Sequence, residues 1–348
     1  MFKEQNRISL VLTRLTLVLG IIFFAQFTNA QDFHYSQFYN APYTISPGLT
    51  GIFNGDERLT GSIRDQWRAV PVPWFNFGIG YDRKIYPRKA EKGFFAAGIS
   101  FNYDTQGDSK LQLANLNLTG SYTRILNHRN LITIGGLLGV ANRGFNQDNL
   151  TWDRFWDAST FTVNPGAGSG ETFLFERFTF LETSLGLNYR WQKSSRTNLD
   201  LGVGGWHLTT PRARFNSGTT DGQSLPIRLS AYGIYSRELT DKLDLQLDAL
   251  YQRQLTYDEL LFGGYVNLHL NQERGKNLQV RLGVGYRTRR AIYPKIGIEI
   301  NNLIIAGSWD IYLTDLTAEH GGAGPELHLR YLIKHVKPLG KFKTCPIF

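Results

Sequence analysis

The sequence predicts an all-β protein, a single transmembrane antiparallel β-barrel of about 14 strands. Three observations support this fold class. Segments of about ten residues alternate apolar and polar side chains, an apolar leader precedes them, and the long connections follow odd-numbered strands only. Successive side chains of a strand point to opposite faces, so each strand has an apolar and a polar face. The strands of a soluble β-sandwich also alternate apolar and polar side chains. The apolar leader and the repetition of such strands along the whole chain favour an outer-membrane barrel instead.

Residues 1–30 have the features of a secretory signal peptide. Basic residues precede an apolar core at 15–27, and Ala30 supplies a small residue at the cleavage position. The alternative is an uncleaved membrane anchor, but this core is shorter than the roughly 20 residues that a spanning helix needs. We therefore expect Gln31 to begin the mature chain.

Residues 31–56 do not alternate and contain Pro42 and Pro47, so they fit neither helix nor strand. They are rich in aromatic residues, which disordered tails seldom contain. We expect an ordered segment that either enters the barrel lumen as a plug or packs beneath the barrel on the periplasmic side.

The barrel is predicted over residues 57–333, and residues 334–348 form a basic periplasmic tail. An even number of strands places both termini on the periplasmic side, as in bacterial barrels. The predicted strands are 57–67, 74–84, 93–104, 110–124, 131–143, 177–191, 198–207, 226–237, 243–254, 258–270, 278–288, 292–300, 302–313 and 324–333.

Connection lengths provide an independent check on this topology. The two longest connections, 144–176 and 208–225, follow strands five and seven and are therefore predicted to be extracellular. Connections after even-numbered strands are short, as periplasmic turns should be. Examples are 192–197, 238–242, 271–277 and 301–302.

The last four strands show which residues face lipid and which face the lumen. The predicted lipid-facing residues are Leu278, Val280, Leu282, Val284, Ile296, Ile298, Ile305, Ile311, Leu327 and Leu329. The predicted lumen network is Arg281, Lys295, Glu299, Asp310, Glu326 and Arg330. In a filled barrel such charges pair with each other or with a plug, because unpaired buried charges are costly. A binding site or gate, and catalysis, are the alternatives.

The long loop at 144–176 contains a candidate partner-binding site: Trp152, Arg154, Phe155 and Trp156. Aromatic residues with arginine are typical of the energetic centre of a protein interface. The alternative is that these side chains fold down and close the mouth of the barrel.

Composition and motifs exclude several other functions. The only cysteine, Cys345, cannot form an internal disulfide or a cysteine metal cluster. The net charge of +9 is diffuse outside the tail, which argues against nucleic-acid binding. No nucleophile elbow or phosphate loop is present, so we predict no enzymatic activity, no catalytic residues, no cofactor and no metal. The tail either binds anionic headgroups or a periplasmic partner, or is simply solvated.

Several stretches, taken in order, resemble the PorP/SprF family of outer-membrane proteins from the type IX secretion and gliding systems of Bacteroidota. The opening is SQFYNAP at 36–42 followed by SPGLTG at 46–51, and the closing run is the most specific. The further stretches are RDQW at 64–67, GVGGWHL at 202–208, LGVGYR at 282–287, GSWD at 307–310, TDL at 314–316 and GGAGPEL at 321–327.

The resemblance implies a non-enzymatic outer-membrane component of the type IX secretion and gliding system that docks or anchors an exported surface protein. The implied partners are outer-membrane lipid, an exported adhesin or other type IX substrate, and periplasmic type IX components. An outer-membrane diffusion channel for small or hydrophobic solutes is the alternative. An outer-membrane lipid hydrolase would need a nucleophile constellation, which the sequence lacks.

Overall fold

The computed structural model describes residues 32, 34–66, 74–87, 92–147, 150–170, 176–212, 224–273, 275–288, 291–313 and 323–335. The predicted signal peptide, Cys345 and all but the first two residues of the basic tail lie outside the described residues. Among the described residues, no helix is long and apolar enough to cross a bilayer.

Fourteen long strands form one closed antiparallel barrel, and two short strands form a hairpin in the loop between β5 and β8. The hairpin consists of β6 (Trp156–Asp157) and β7 (Thr162–Val163). The barrel strands are β1 (Glu57–Gln66), β2 (Trp74–Ile85), β3 (Gly93–Gln106), β4 (Leu111–Asn127), β5 (Asn130–Gly144), β8 (Arg177–Gln192), β9 (Asn198–Trp206), β10 (Arg228–Thr240), β11 (Leu243–Gln254), β12 (Tyr257–Asn271), β13 (Leu278–Arg287), β14 (Ala291–Ile300), β15 (Leu303–Tyr312) and β16 (Ala323–Ile333).

The barrel closes where β1 pairs with β16, with Glu57 opposite Ile333 and Arg64 opposite Glu326. Closure satisfies the backbone donors and acceptors that an open sheet edge would expose, which a wall facing lipid requires. The predicted fold class is confirmed, and every predicted barrel strand corresponds to an observed one.

The two rims of the barrel differ in the length of their connections. We call the rim where β1 begins and β16 ends the turn rim, and the opposite rim the loop rim. The turn rim has two-residue connections at 128–129, 241–242 and 301–302, whereas the loop rim carries 145–176 and 207–227. The predicted segregation of long and short connections is therefore confirmed.

Exposure along the strands follows the predicted alternation. Leu282, Val284 and Ile296 are more than half exposed on the outer wall, while Arg281 and Asp310 are buried inside. Ile311, Leu327 and Leu329 are also exposed, and Glu326 is buried. Apolar residues outside and charged residues inside are the reverse of a soluble protein and suit a wall that contacts lipid.

This arrangement predicts that Leu282→Arg destabilises the barrel by about 2–4 kcal/mol, because it places a charge on the lipid face at mid-strand. Leu126→Arg, at the penultimate residue of β4, should cost about 0–1 kcal/mol, since charges near the interface are tolerated. Guanidinium unfolding of vesicle-inserted protein measures both. Equal losses for the two variants would contradict the assignment of the lipid face.

Residues 34–56, which we call the plug, lie inside the barrel. Three single 3-10 turns, Phe38–Asn40, Pro42–Thr44 and Pro47–Leu49, give the plug its shape. Two of them begin with proline, whose fixed φ and missing N–H suit the first position of a helical turn. Plug residues Phe38, Tyr39, Ile45, Leu49 and Ile52 pack with the wall residues Tyr232, Leu250, Leu261, Tyr265 and Tyr293. The hydrophobic core therefore lies between plug and wall.

The plug runs from the loop-rim half of the lumen to the turn rim. His34 lies 3.7 Å from Glu259, which is close to the loop-rim end of β12. At the other end, the Asn54 amide donates to the Ser195 carbonyl in a turn-rim connection, at 3.0 Å. Among the described residues, the chain therefore crosses the lumen before β1 begins at the turn rim.

Candidate functional site

The first residues of the plug are bound by a cluster of buried charges in the loop-rim half of the lumen. The Glu326 carboxylate accepts the backbone N–H groups of Ser36 and Gln37, at 2.8 and 2.7 Å. The His328 ring lies 2.6 Å from the same carboxylate, and Ser62 holds its other nitrogen at 2.7 Å. Backbone donors and an imidazole thus surround one carboxylate from the plug and the wall together.

Two arginines complete the cluster. Arg64 pairs with Asp310 at 2.5 Å, and Arg287 pairs with Asp310 at 3.3 Å and with Glu259 at 3.2 Å. Ser36 links Asp310 to Arg287, since its hydroxyl donates to the Asp310 carboxylate and accepts from the Arg287 guanidinium, both at 2.8 Å. Arg64 also donates to the His34 carbonyl. Buried ion pairs are tolerated only when hydrogen bonds satisfy the remaining polar atoms, and here the plug supplies several of them.

A second charged group lies one level deeper. Lys295 pairs with Asp248 at 3.1 Å, and both side chains are fully buried. The ammonium also lies 4.6 Å from the centre of the Tyr265 ring and 5.3 Å from that of Tyr39. Tyr265 donates to Gln37 at 2.8 Å. The plug residue Tyr39 thus joins wall residues in an aromatic lining for one cation.

On the opposite wall, side chains bind the plug backbone directly. The Ile45 carbonyl accepts from the Trp206 indole at 2.9 Å and from the Ser230 hydroxyl at 2.6 Å. Closer to the turn rim, and on β2 rather than on the opposite wall, Asp82 accepts the Gly51 N–H at 2.7 Å. Arg58 holds that carboxylate in place with two bonds of 2.8 Å. These contacts supply hydrogen-bond partners to plug backbone groups that are not paired within a helix or a strand.

A row of three glycines gives the plug room to approach the wall. Gly135 on β5, Gly186 on β8 and Gly204 on β9 are in register across adjacent strands. A Cβ at Gly135 would lie 2.1 Å from the Pro47 carbonyl oxygen, and one at Gly186 would lie 2.1 Å from the Ser46 hydroxyl. Any side chain at these positions would push the plug away from the wall.

The six predicted lumen residues have different partners. Asp310 and Glu326 bind the start of the plug, and Lys295 pairs with Asp248. Arg281 donates to the amide oxygens of Asn267 and Gln246, at 2.9 and 2.7 Å. Glu299 and Arg330 line a cavity between the plug and the turn rim.

Sequence reasoning missed several of the residues that bind the plug. It considered only the late strands, although the alternation of β1 also marks Arg64 as inward-facing, between Ile63 and Asp65 on the outer face. The same pattern marks Glu259 in β12 and Asp82 in β2. Alternation identifies such residues as lumenal, but it does not reveal that the plug contacts them.

The four candidate partner-binding residues lie in and before the β6–β7 hairpin at the loop rim. Arg154 and Trp156 are exposed, whereas Trp152 and Phe155 are half-buried. Phe161 and Val163, which sequence reasoning did not select, are 78% and 63% exposed. Trp156 packs edge-on against Phe161, with ring centres 6.3 Å apart. The hairpin thus presents apolar side chains to solvent.

Hydrogen bonds hold this hairpin in a defined shape. Asn164 donates its N–H to the Phe155 carbonyl at 2.6 Å. The Ser159 hydroxyl and N–H both donate to Asp157, at 2.6 and 2.9 Å, and these bonds lower the pKa of Asp157 to about 2. Asp157 is therefore ionised at any physiological pH, so the turn does not depend on protonation.

Comparison with known proteins identifies the family and supports the fold. The family described as "Type IX secretion system membrane protein PorP/SprF" matches residues 27–331. No curated protein sequence matches the chain. A Pseudomonas aeruginosa FadL homologue is similar with a TM-score of 0.51 and 11% identity, over 82% of this chain and 92% of that one. The Ralstonia pickettii toluene transporter TbuX is similar with a TM-score of 0.46 and 11% identity, over 84% and 94%.

Proposed function

Because the chain belongs to the PorP/SprF family of type IX secretion system membrane proteins, we propose that it docks or anchors an exported surface protein at the outer membrane. In this proposal it acts without catalysis or cofactor, and its partners are outer-membrane lipid, a type IX substrate such as an adhesin, and periplasmic components of the system. Residues 1–30 are removed as a signal peptide, and the tail 334–348 lies in the periplasm.

The proposed orientation places the loop rim outside the cell and the turn rim in the periplasm. It is supported by the difference between the rims, because outer-membrane barrels have short periplasmic turns and longer extracellular loops. The β6–β7 hairpin then faces the medium, where an exported protein would meet it.

The observation that carries the proposal is the filled lumen. A barrel of eight strands is filled by its own side chains, whereas one of sixteen to eighteen strands leaves an aqueous channel. This barrel of 14 strands lies between those limits, and the plug occupies its interior. Plug residues Ser36, Gln37, Asn40 and Ala41 are wholly buried. Such packing favours a rigid platform over the alternative of an open diffusion channel.

The hairpin provides the docking surface in this proposal. Trp156, Phe161 and Val163 are solvent-exposed apolar side chains on a loop that is held by hydrogen bonds. Exposed aromatic residues beside an arginine, here Arg154, are typical anchors of protein interfaces. A partner that covers them would bury apolar surface without any rearrangement of the barrel wall.

We expect removal of residues 153–163, bridged by a short Gly/Ser linker, to leave the barrel in the membrane and abolish retention of the exported partner at the cell surface. The double variant Trp156→Ser, Phe161→Ser should weaken retention similarly, since each anchor is worth about 2 kcal/mol or more. Surface proteolysis and immunoblotting of cells and medium measure retention.

Ala158→Ser is the matched control, because this exposed residue lies in the same hairpin between the two anchors. It should retain the partner as the wild type does. Wild-type retention in the deletion variant, with the barrel present at normal abundance, would place the contact elsewhere on the protein.

A further inference from the structure

A cavity of about 420 Å³ lies between the plug and the turn rim. The plug residues Tyr39, Leu49 and Ile52 form its inner end, and Ser195, Asn277 and Lys334 lie at its mouth. It opens toward the turn rim, away from the docking hairpin. Its volume is within the range of small-ligand sites.

The charges that line this cavity are unequal. Its walls include three carboxylates, Asp200, Asp244 and Glu299. The same walls include six cationic side chains: Arg58, Arg190, Arg196, Arg281, Arg330 and Lys334. Asp82 and Glu238, which are not part of this lining, pair with Arg58 and Arg196, so the cations outnumber the carboxylates by one before any ligand enters.

Three of the arginines have an aspartate of their own. Arg58 pairs with Asp82 at 2.8 Å, Arg196 with Asp244 at 2.7 Å, and Arg190 lies 3.8 Å from Asp200. His269 also binds Asp244, at 2.7 Å. These groups are engaged within the protein and are not free to bind an anion.

Arg281 and Arg330 are different. The hydrogen-bond acceptors of Arg281 are the neutral amides of Asn267 and Gln246, and its guanidinium lies 4.8 Å from the centre of the Tyr265 ring. Within the described part of the chain, Arg330 has no hydrogen bond and no ion pair within 4 Å, and its Nε is buried. The side chain as a whole is half-buried, so its terminal N–H groups are available to bind an anion that enters the cavity.

The sheet register explains why Glu299 makes no direct ion pair with Arg330. Glu299 on β14 is opposite Ile304 on β15, and Ile304 is opposite Arg330 on β16. The two charged residues are therefore two strands apart, about 10 Å at the backbone. Next to them, Arg281 is in line with Gly297 and Ala306, so no charged side chain follows it in that row on β14 or β15.

We propose that this cavity binds a small oxyanion, a dicarboxylate or a phosphate, which Arg281 and Arg330 hold from two sides. A dicarboxylate would place one carboxylate on each guanidinium, and a phosphate would use oxygens of one group for both. Guanidinium groups bind both chemistries through paired N–H···O bonds. This binding does not depend on the docking role of the hairpin.

The test uses the full-length chain in detergent micelles, with glutarate and inorganic phosphate as probes and sodium acetate of matched ionic strength as the single-carboxylate control. Isothermal titration should show one saturable site for at least one probe and none for acetate. Binding of glutarate alone would identify a dicarboxylate site, and binding of phosphate alone a phosphate site. No saturable binding of either probe would overturn the proposal.

Arg330→Gln and Arg281→Gln should each weaken binding of that probe at least about tenfold, since each removes a charge-assisted contact. Lys276→Gln is the matched control, because Lys276 lies exposed in a turn-rim connection, where it pairs with the exposed Glu273. It should bind as the wild type does. Wild-type affinity in Arg330→Gln would also overturn the proposal.

Chemical modification of the wild-type chain provides a second test that does not depend on the correct folding of a variant. Phenylglyoxal modifies arginines, and peptide mass spectrometry follows each site in the wild-type chain. The bound probe should slow modification of Arg330 and Arg281 and leave that of the exposed Arg83 unchanged. Equal modification of Arg330 with and without a saturating probe would contradict the assignment.

Discussion

Replacing residues 36–53 with a Gly/Ser linker should convert a closed barrel into one that conducts ions. The plug occupies the interior, and the barrel charges that bind residues 36 and 37, such as Glu326 and Asp310, would then be hydrated instead. Planar lipid bilayers should show stable open steps for this variant and none for the wild type. The wall should still assemble, because each strand pairs with both of its neighbours around the closed sheet.

A point substitution tests the same plug without deleting it. Gly135→Val places a side chain where a Cβ alone would lie 2.1 Å from the Pro47 carbonyl oxygen. It should displace the plug and make it accessible to protease. Gly120→Val is the matched control, because a Cβ at Gly120 has no neighbour within 4 Å. If the linker variant stayed closed and Gly135→Val stayed resistant to protease, the plug would not be what blocks the lumen.

The barrel wall was predictable from the sequence because one physical rule governs it. Lipid requires apolar side chains at every second position, so β13 shows its outer face through Leu282 and Val284. The short turns follow from the same constraint, since irregular backbone cannot face lipid. Strand number, faces and the segregation of the connections are therefore local properties, visible without knowledge of the fold.

The plug was only partly predictable because its contacts are not local. Its aromatic residues indicated order, but Ser36 meets Glu326 across 290 residues of sequence. The row of Gly135, Gly186 and Gly204 appears only when β5 pairs with β8 across the long loop between them. Each glycine alone resembles the many others in the strands. Likewise, the isolation of Arg330 depends on the register of three neighbouring strands.

Arg64→Met should destabilise the docked plug by about 3–5 kcal/mol, because it removes one of the two buried arginines that compensate the buried carboxylates of Asp310, Glu326 and Glu259. Arg64 is wholly buried, and it is bound to Asp310 and to the His34 carbonyl. Methionine preserves most of the side-chain volume, so the loss measures charge rather than packing. Guanidinium unfolding in vesicles gives the free energy, and the rate of proteolysis within residues 34–56 reports plug release.

Arg83→Met is the matched control on the neighbouring strand. Arg83 also pairs with a carboxylate, that of Glu57 at 3.5 Å, but its side chain is 59% exposed. An ion pair that water can replace is worth about 0–1 kcal/mol, so this variant should behave almost as the wild type does. If the two variants lost equal stability, burial would not be what gives the Arg64–Asp310 pair its strength. If Arg64→Met left the plug as resistant to protease as in the wild type, the charge cluster would not hold the plug in the lumen, and its docking would rest instead on the apolar contacts of Phe38, Ile45 and Leu49.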